Sequence, residues 1–284
     1  MTQEIKRTFS LEYFPARTEK GEQSLAAARR ELSILKPAFA SVTFGAGGST
    51  QEGTYQTIEA IVQDDGIDAA PHISCISTDR DTLKTMLDDY RKLGVTRLVA
   101  LRGDLPSGYG IAEHNELRYA NELVQFIRQQ TGDHFTIEVA AYPEFHPQAS
   151  SARADLENFK RKVDAGADSA ITQYFYNPDA YFRFINDCQH MGVTIPIVPG
   201  IMPITNYKQL ARFSDGCGSE IPRWIRKRLE SYGDDIESIR KFGLDVVLHL
   251  CEQLLDGGAP GLHFYSMNRS EPVKTIWNTL KLSG

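Results

Sequence analysis

The spacing of apolar positions switches repeatedly between two residues and about 3.6 along the chain. Over residues 7–14, Phe9, Leu11 and Tyr13 alternate with Thr8, Ser10 and Glu12, which predicts a strand with one apolar and one polar face. Over 20–36, Leu25, Ala28, Leu32 and Leu35 recur at helical spacing. The same reading predicts strands at 38–44, 68–74, 97–102, 134–141, 169–175, 195–199 and 261–265. Helices are predicted near 50–64, 79–94, 114–130, 151–165, 178–191, 206–213, 219–231, 234–256 and 271–282. In the 151–165 helix Leu156, Phe159 and Val163 form the core stripe, with Ser150 or Ser151 as N-cap.

Eight strands alternating with helices predict the α/β class and a single (β/α)8 barrel. The 284 residues suit that fold, which typically needs about 250. An open doubly wound sheet is the alternative, but it usually carries a glycine-rich phosphate turn after its first strand. Here that strand runs into Phe14-Pro15-Ala16-Arg17. No linker or break in composition divides the chain, so residues 1–284 are expected to form one catalytic domain.

Composition narrows the function without naming it. Apolar residues make up 41% and charged residues 24%, with a net charge of −6. This mild acidity argues against a nucleic-acid partner, which requires a clustered cationic footprint. The cysteines at 75, 188, 217 and 251 are far apart, so neither a zinc site nor a disulfide framework is expected. The charged N-terminus lacks a signal-peptide core, and no stretch reaches the roughly 18 apolar residues of a membrane span. A cytoplasmic protein without membrane association is expected.

Barrel enzymes place their chemistry at the C-terminal strand ends. Those positions read Glu12, Thr43, His72, Arg102-Gly103-Asp104, Tyr142 with His146, Gln173, Pro199-Gly200 and Asn268-Arg269. Individually they admit ordinary roles: Asp104 could cap a turn, and Thr43 could fill the barrel. Their recurrence over nearly every strand favours an active site. Glu12 should point into the mouth, where partial desolvation would raise its pKa and suit a general acid. The alternative is a buried carboxylate paired with an arginine. On the 151–165 helix, Asp155, Asn158 and Lys162 share a face with Arg161 beside it, either a solvated surface or a cradle for ribose and phosphates. Gly45-Ala46-Gly47-Gly48 does not complete a dinucleotide fingerprint, and no metal-ligand spacing stands out.

Several segments resemble methylenetetrahydrofolate reductases: LEYFPART (11–18), SVTFGAGG (41–48), APHISC (70–75), LVALRGDLP (98–106), AAYPEFHPQASSARADLENFKRKVDAGAD (140–168), AITQYFYN (170–177), IVPGIMPITNYKQLARF (197–213) and HFYSMNR (263–269). They occur in order, at compatible spacing, over nearly the whole chain. The first motif departs from the common Phe-Glu-Phe-Phe-Pro-Pro wording but keeps the acid. The longer loop after Asp104 makes the matches at Tyr119 and Ala120 less direct.

The resemblance implies a (β/α)8 barrel binding FAD and reducing 5,10-methylenetetrahydrofolate to 5-methyltetrahydrofolate with NADH or NADPH. It implies a ping-pong reaction, hydride passing from the dinucleotide to the flavin and then to the folate. Glu12 matches the acid that assists opening of the folate's five-membered ring, and Asp104 an aspartate near flavin and folate. Thr43, Phe44, Ala46, His72, Arg102, Gly103, Asp104, Tyr119, Ala120, Tyr142, His146, Ala149, Asp155, Asn158, Arg161 and Lys162 fall on flavin positions. Asp104, Gln173, Gln209, Phe213 and Arg269 fall on substrate positions. A homo-oligomer is implied as well. With no extension after residue 284, feedback by S-adenosylmethionine is not expected. A proline-dehydrogenase-like flavin barrel and a non-catalytic flavin-binding module remain the alternatives.

Overall fold

A computed structural model describes residues 7–44, 51–76, 78–103 and 116–283. Among these, the strand segments are β1 (Thr8–Tyr13), β2 (Phe39–Val42), β3 (Ala69–Ser74), β4 (Arg97–Leu101), β5 (Thr136–Ala141), β6 (Ser169–Thr172), β7 (Ile197–Val198), β8 (Gly200–Ile201) and β9 (Gly261–Tyr265). Each pairs in parallel with its neighbours in the order β7-β6-β5-β4-β3-β2-β1-β9-β8. The two ends of that series, β7 and β8, are halves of one strand interrupted at Pro199, so the sheet closes on itself. The predicted 195–199 strand is thus shorter at its start and continues past the proline. Proline has no N–H for a ladder, and the chain changes partner there, from β6 to β9.

The barrel closes tightly at Gly200. Its N–H donates to Thr172 Oγ1 at 2.9 Å, and Tyr265 Oη donates to the Thr172 carbonyl at 2.7 Å. A Cβ at Gly200 would collide with that carbonyl and with the Tyr265 ring, so the position requires glycine.

Helices cover the outside: α1 (Glu19–Ser33), α2 (Gln51–Ala60, continued by a π-turn over Ile61–Asp65), α3 (Arg80–Lys92), α4 (Ala120–Thr131), α5 (Ala152–Asp164), α6 (Pro178–His190), α7 (Tyr207–Cys217), α8 (Arg223–Tyr232), α9 (Ile236–Asp256) and α10 (Glu271–Thr279). Two helix starts lie more than two residues from expectation, for local reasons. The helix predicted from 114 begins at Ala120, where Glu122 accepts hydrogen bonds from the Arg118 and Tyr119 amides. The helix predicted from 219 begins after Pro222. Among the described residues, no helix is long and apolar enough to cross a membrane.

The alternation in each strand divides the core in two. Outward side chains such as Phe9, Leu11, Leu98, Ile137, Leu262 and Phe264 pack against the helices in one large cluster. Inward ones form a small separate cluster of Phe39, Ala70, Val99 and Ile171. Toward the N-terminal end, Glu138 is 2% exposed and is bound by Arg97 and Ser169, while Arg97 also lies over the Phe39 ring at 4.5 Å. This ionic layer and the inner apolar cluster fill the barrel, leaving its chemistry to the opposite end.

Candidate active site at the C-terminal end of the barrel

Glu12 is the last inward-facing residue of β1, and its side chain is 19% exposed. Parallel register places it level with Ser41 on β2 and Tyr265 on β9. Its Oε2 lies 3.3 Å from His72 Nε2 of β3 and 3.6 Å from His263 Nε2 of β9, and it accepts a hydrogen bond from Ser41 Oγ at 3.4 Å. Both imidazole nitrogens are buried and stand at ion-pair distance without an aligned hydrogen bond. Ser10 Oγ lies 2.8 Å from His263 Nδ1, fixing the far side of that ring.

This arrangement corrects the expectation of a raised Glu12 pKa. Burial does push the carboxyl up, but the close approach and charge of His263 and His72 more than reverse it, holding it at about 2. Its partners are imidazoles, not the arginine weighed as an alternative. Stability should follow the same sign. With the folded pKa below the ordinary 4.5, the contribution is complete above about pH 4.5 and is lost as pH falls toward 2. Urea unfolding of wild type and Glu12→Gln should show a stability gap that narrows through that window. A gap that widened with acid would contradict the depressed pKa.

The other matched positions divide into groups. Thr43 follows β2, and its Oγ1 is buried without a hydrogen-bond partner. Phe44 beside it is half-buried. Arg102 and Gly103 follow β4, with Arg102 donating to Gln148 Oε1 at 2.5 Å. Gly103 has φ +89°, and a Cβ there would run into the Ser74 side chain. Gly103→Ala is therefore expected to lower stability by about 1–2 kcal/mol from the left-handed backbone alone. Thermal unfolding measures this, and an unchanged midpoint would contradict it. Ala46 and Asp104 lie outside the described residues.

Tyr142 follows β5 and packs edge-on against His146 at 4.7 Å. The turn between them is held to α5, because the His146 amide donates to Asp155 Oδ2 at 2.8 Å and the Ala149 amide to the His146 carbonyl at 2.9 Å. The α5 cations do not converge. Arg161 donates to Asn158 on the exposed face, whereas Lys162 turns inward to the Ala140 carbonyl at 2.5 Å. Burial pulls the Lys162 pKa down to about 8, with the Asp155 charge opposing it. Tyr119 caps the start of α4 and is 49% exposed, and Ala120 is the first residue of that helix.

Gln173 directly follows β6, its amide donating to the Ala141 carbonyl at 2.8 Å. Gln209 and Phe213 on α7 and Arg269 after β9 line a single cleft of about 150 Å³ with Phe14, Met202 and Met267. Three of the matched substrate positions, far apart in sequence, therefore meet in one cavity. A larger groove, with Trp224 and Phe242 on its wall, lies on the outside between α6, α8 and α9 and shares none of these residues.

His263 was not among the residues singled out by sequence. The alternation of β9 holds the signal: Leu262 and Phe264 face the helices, so Gly261, His263 and Tyr265 must face inward.

Comparisons with known proteins identify the family. The family model described as methylenetetrahydrofolate reductase matches residues 1–281. The 5,10-methylenetetrahydrofolate reductases of Salmonella typhimurium and Escherichia coli are each 42% identical over 271 residues, covering 95% of this chain and 90% of theirs. In fold, the chain resembles an uncharacterized Clostridium thermocellum protein that binds two copies of 5-methyl-5,6,7,8-tetrahydrofolic acid, with a TM-score of 0.69, 16% identity and coverage of 97% and 96%. With the family model spanning almost every residue and relatives alike over nearly their whole length, this chain belongs to the methylenetetrahydrofolate reductase family.

Proposed function

We propose that the chain reduces 5,10-methylenetetrahydrofolate to 5-methyltetrahydrofolate in the cytoplasm, drawing electrons from NADH or NADPH through bound FAD. The observation that carries the reading is the Glu12 carboxylate, set between two buried imidazoles at the mouth of the barrel. A relative from Zea mays, 36% identical over 288 residues, is described as using NADH, which makes NADH the first donor to test.

The residues present fit a flavin. Thr43 Oγ1, directly after β2, is a buried polar atom still in need of a partner. Arg102, after β4, would supply positive charge for a diphosphate, and the Tyr142 ring, with His146 edge-on to it, would wall the site. FAD would supply the chemistry that amino acids lack, accepting a hydride from the dinucleotide and returning it to the folate in alternating half-reactions.

The chain's own part is binding and proton movement. Glu12 protonates the amine nitrogen that leaves when the folate's five-membered ring opens to a 5-iminium cation. The neighbouring imidazoles hold the Glu12 carboxyl well below the ordinary carboxylate range, so it must gain a proton before it can give one. His72 Nε2 and His263 Nε2 each stand one transfer away from Glu12 Oε2. A folate seated over Glu12 would cover its remaining exposure, favouring the neutral acid. Gln173, Gln209, Phe213 and Arg269 would bind the folate, with Asp104 beside it.

Initial rates measured against both substrates test this reading. Parallel double-reciprocal lines with 5-methyltetrahydrofolate as product are expected. Intersecting lines would rule out the alternating mechanism. Flavin bleaching by proline without any response to methylenetetrahydrofolate would select the proline-dehydrogenase-like alternative. The homo-oligomer implied by the resemblance belongs to this proposal too and is read by light scattering.

A further inference from the structure

We propose that Asn268 is a positioning residue for the folate, shaping the substrate cleft by clamping the loop after β9 onto the loop after β1. The ladder between these strands runs to Glu12 and Tyr265. Beyond it, Ser266 donates to the Glu12 carbonyl from both its amide, at 3.2 Å, and its hydroxyl, at 2.5 Å. Asn268 then takes over the pairing with a side chain. Its Oδ1 accepts from the Phe14 amide at 3.1 Å, and its Nδ2 donates to the Phe14 carbonyl at 2.8 Å. One primary amide thus stands in for a strand neighbour and satisfies both backbone groups of Phe14.

The loop is bent to make this possible. Met267 and Asn268 lie at φ +52° and +53°, two consecutive non-glycine residues in the left-handed region. Such strain persists only where the surroundings hold it, and asparagine tolerates it best among residues with a side chain of this kind. Asn268 is 8% exposed, and its amide donates to Ser266 Oγ at 3.2 Å. The Arg269 amide closes the turn on the Ser266 carbonyl at 2.9 Å.

The residues on either side of the clamp form the cleft. Phe14, Met267 and Arg269 line it, while Asn268 points away from it into the Phe14 backbone. Phe14 is 38% exposed, a large apolar wall that a ligand would cover. Asn268 therefore acts on the substrate through Phe14 and Arg269, without touching it. A primary amide is the side chain that both donates and accepts here: aspartate loses the donor, and glycine keeps the backbone conformation but loses both bonds.

This inference rests on the folate reading above, and the test separates the two. Purified holoenzyme is titrated with 5-methyltetrahydrofolate by calorimetry for wild type, Asn268→Gly, Asn268→Asp, Arg269→Ala and the Arg269→Ala/Asn268→Gly double variant. Asn268→Gly is expected to bind about tenfold more weakly, the loss of two neutral hydrogen bonds, and Asn268→Asp to bind more weakly too, because a carboxylate oxygen then faces the Phe14 carbonyl. KM for methylenetetrahydrofolate should rise accordingly, with kcat changed far less. In the Arg269→Ala background the effect of Asn268→Gly should shrink, because the two act through one element. Wild type that fails to bind the folate would overturn the functional reading itself. Folate binding by wild type together with equal affinity in Asn268→Gly, or full additivity with Arg269→Ala, would overturn the clamp. Asn268→Gly keeps the left-handed turn accessible, so it remains informative if Asn268→Asp does not fold.

Discussion

Glu12→Gln is expected to reduce methylenetetrahydrofolate about 10²–10⁴-fold more slowly than wild type, the usual loss when a positioned acid is removed. Glutamine is isosteric and can still meet Ser41 and the two imidazoles, so the barrel mouth should keep its shape. What it cannot do is hand a proton to the departing nitrogen. The half of the reaction that needs no proton from Glu12, bleaching of the flavin by NADH, should continue. Rapid mixing measures the two halves separately. Folate turnover at the wild-type rate would show that ring opening draws its proton from another group. His72 and His263 then become the candidates, since they flank the same oxygen.

The second large effect lies at the other end of the barrel. Glu138→Ala should lower unfolding free energy by about 3–5 kcal/mol, the range found when one partner of a buried ion pair is removed. Domains of this kind are stable by only about 5–15 kcal/mol, so such a loss would be severe. Glu138 is almost fully buried, and its removal leaves Arg97 without its carboxylate and Ser169 without its acceptor. Urea unfolding measures the change. Replacing Arg97 with methionine in the same chain should recover part of it, because the stranded cation is then gone. A single variant as stable as wild type would mean that the ionic layer contributes nothing net. Activity per folded molecule should be preserved, since Glu138 lies two residues into β5 and the chemistry follows its other end.

The fold was largely legible because a barrel strand carries its own label. In β1, Phe9, Leu11 and Tyr13 had to face helices, so Ser10 and Glu12 had to face inward. The 195–199 segment was harder. Its strand is split at Pro199, and the change of partner from β6 to β9 depends on long-range closure that no local pattern encodes. The site was legible as a list of positions but not as an environment. Glu12 could be placed at the mouth by alternation, yet its pKa depends on His72 and His263, which lie 60 and 251 residues away in the chain and meet it only in the barrel. Burial by itself predicts a raised value, and the neighbours decide otherwise. The α5 cluster shows the same limit. Helical spacing puts Asn158 and Lys162 on one face, but Lys162 is long enough to turn back to the Ala140 carbonyl while Asn158 stays with Arg161. Asn268 was visible at a strand end, whereas its bonds to Phe14 required the two loops to be brought together.

In the proposed reaction one barrel mouth binds flavin and passes electrons from a nicotinamide dinucleotide to a folate. Anaerobic rapid mixing of the purified protein, followed by flavin absorbance, tests it most directly. NADH should bleach the flavin, and methylenetetrahydrofolate added afterwards should restore its colour with formation of 5-methyltetrahydrofolate. A protein that carries no flavin, or whose flavin is bleached by NADH and stays bleached in the presence of methylenetetrahydrofolate, would contradict the account.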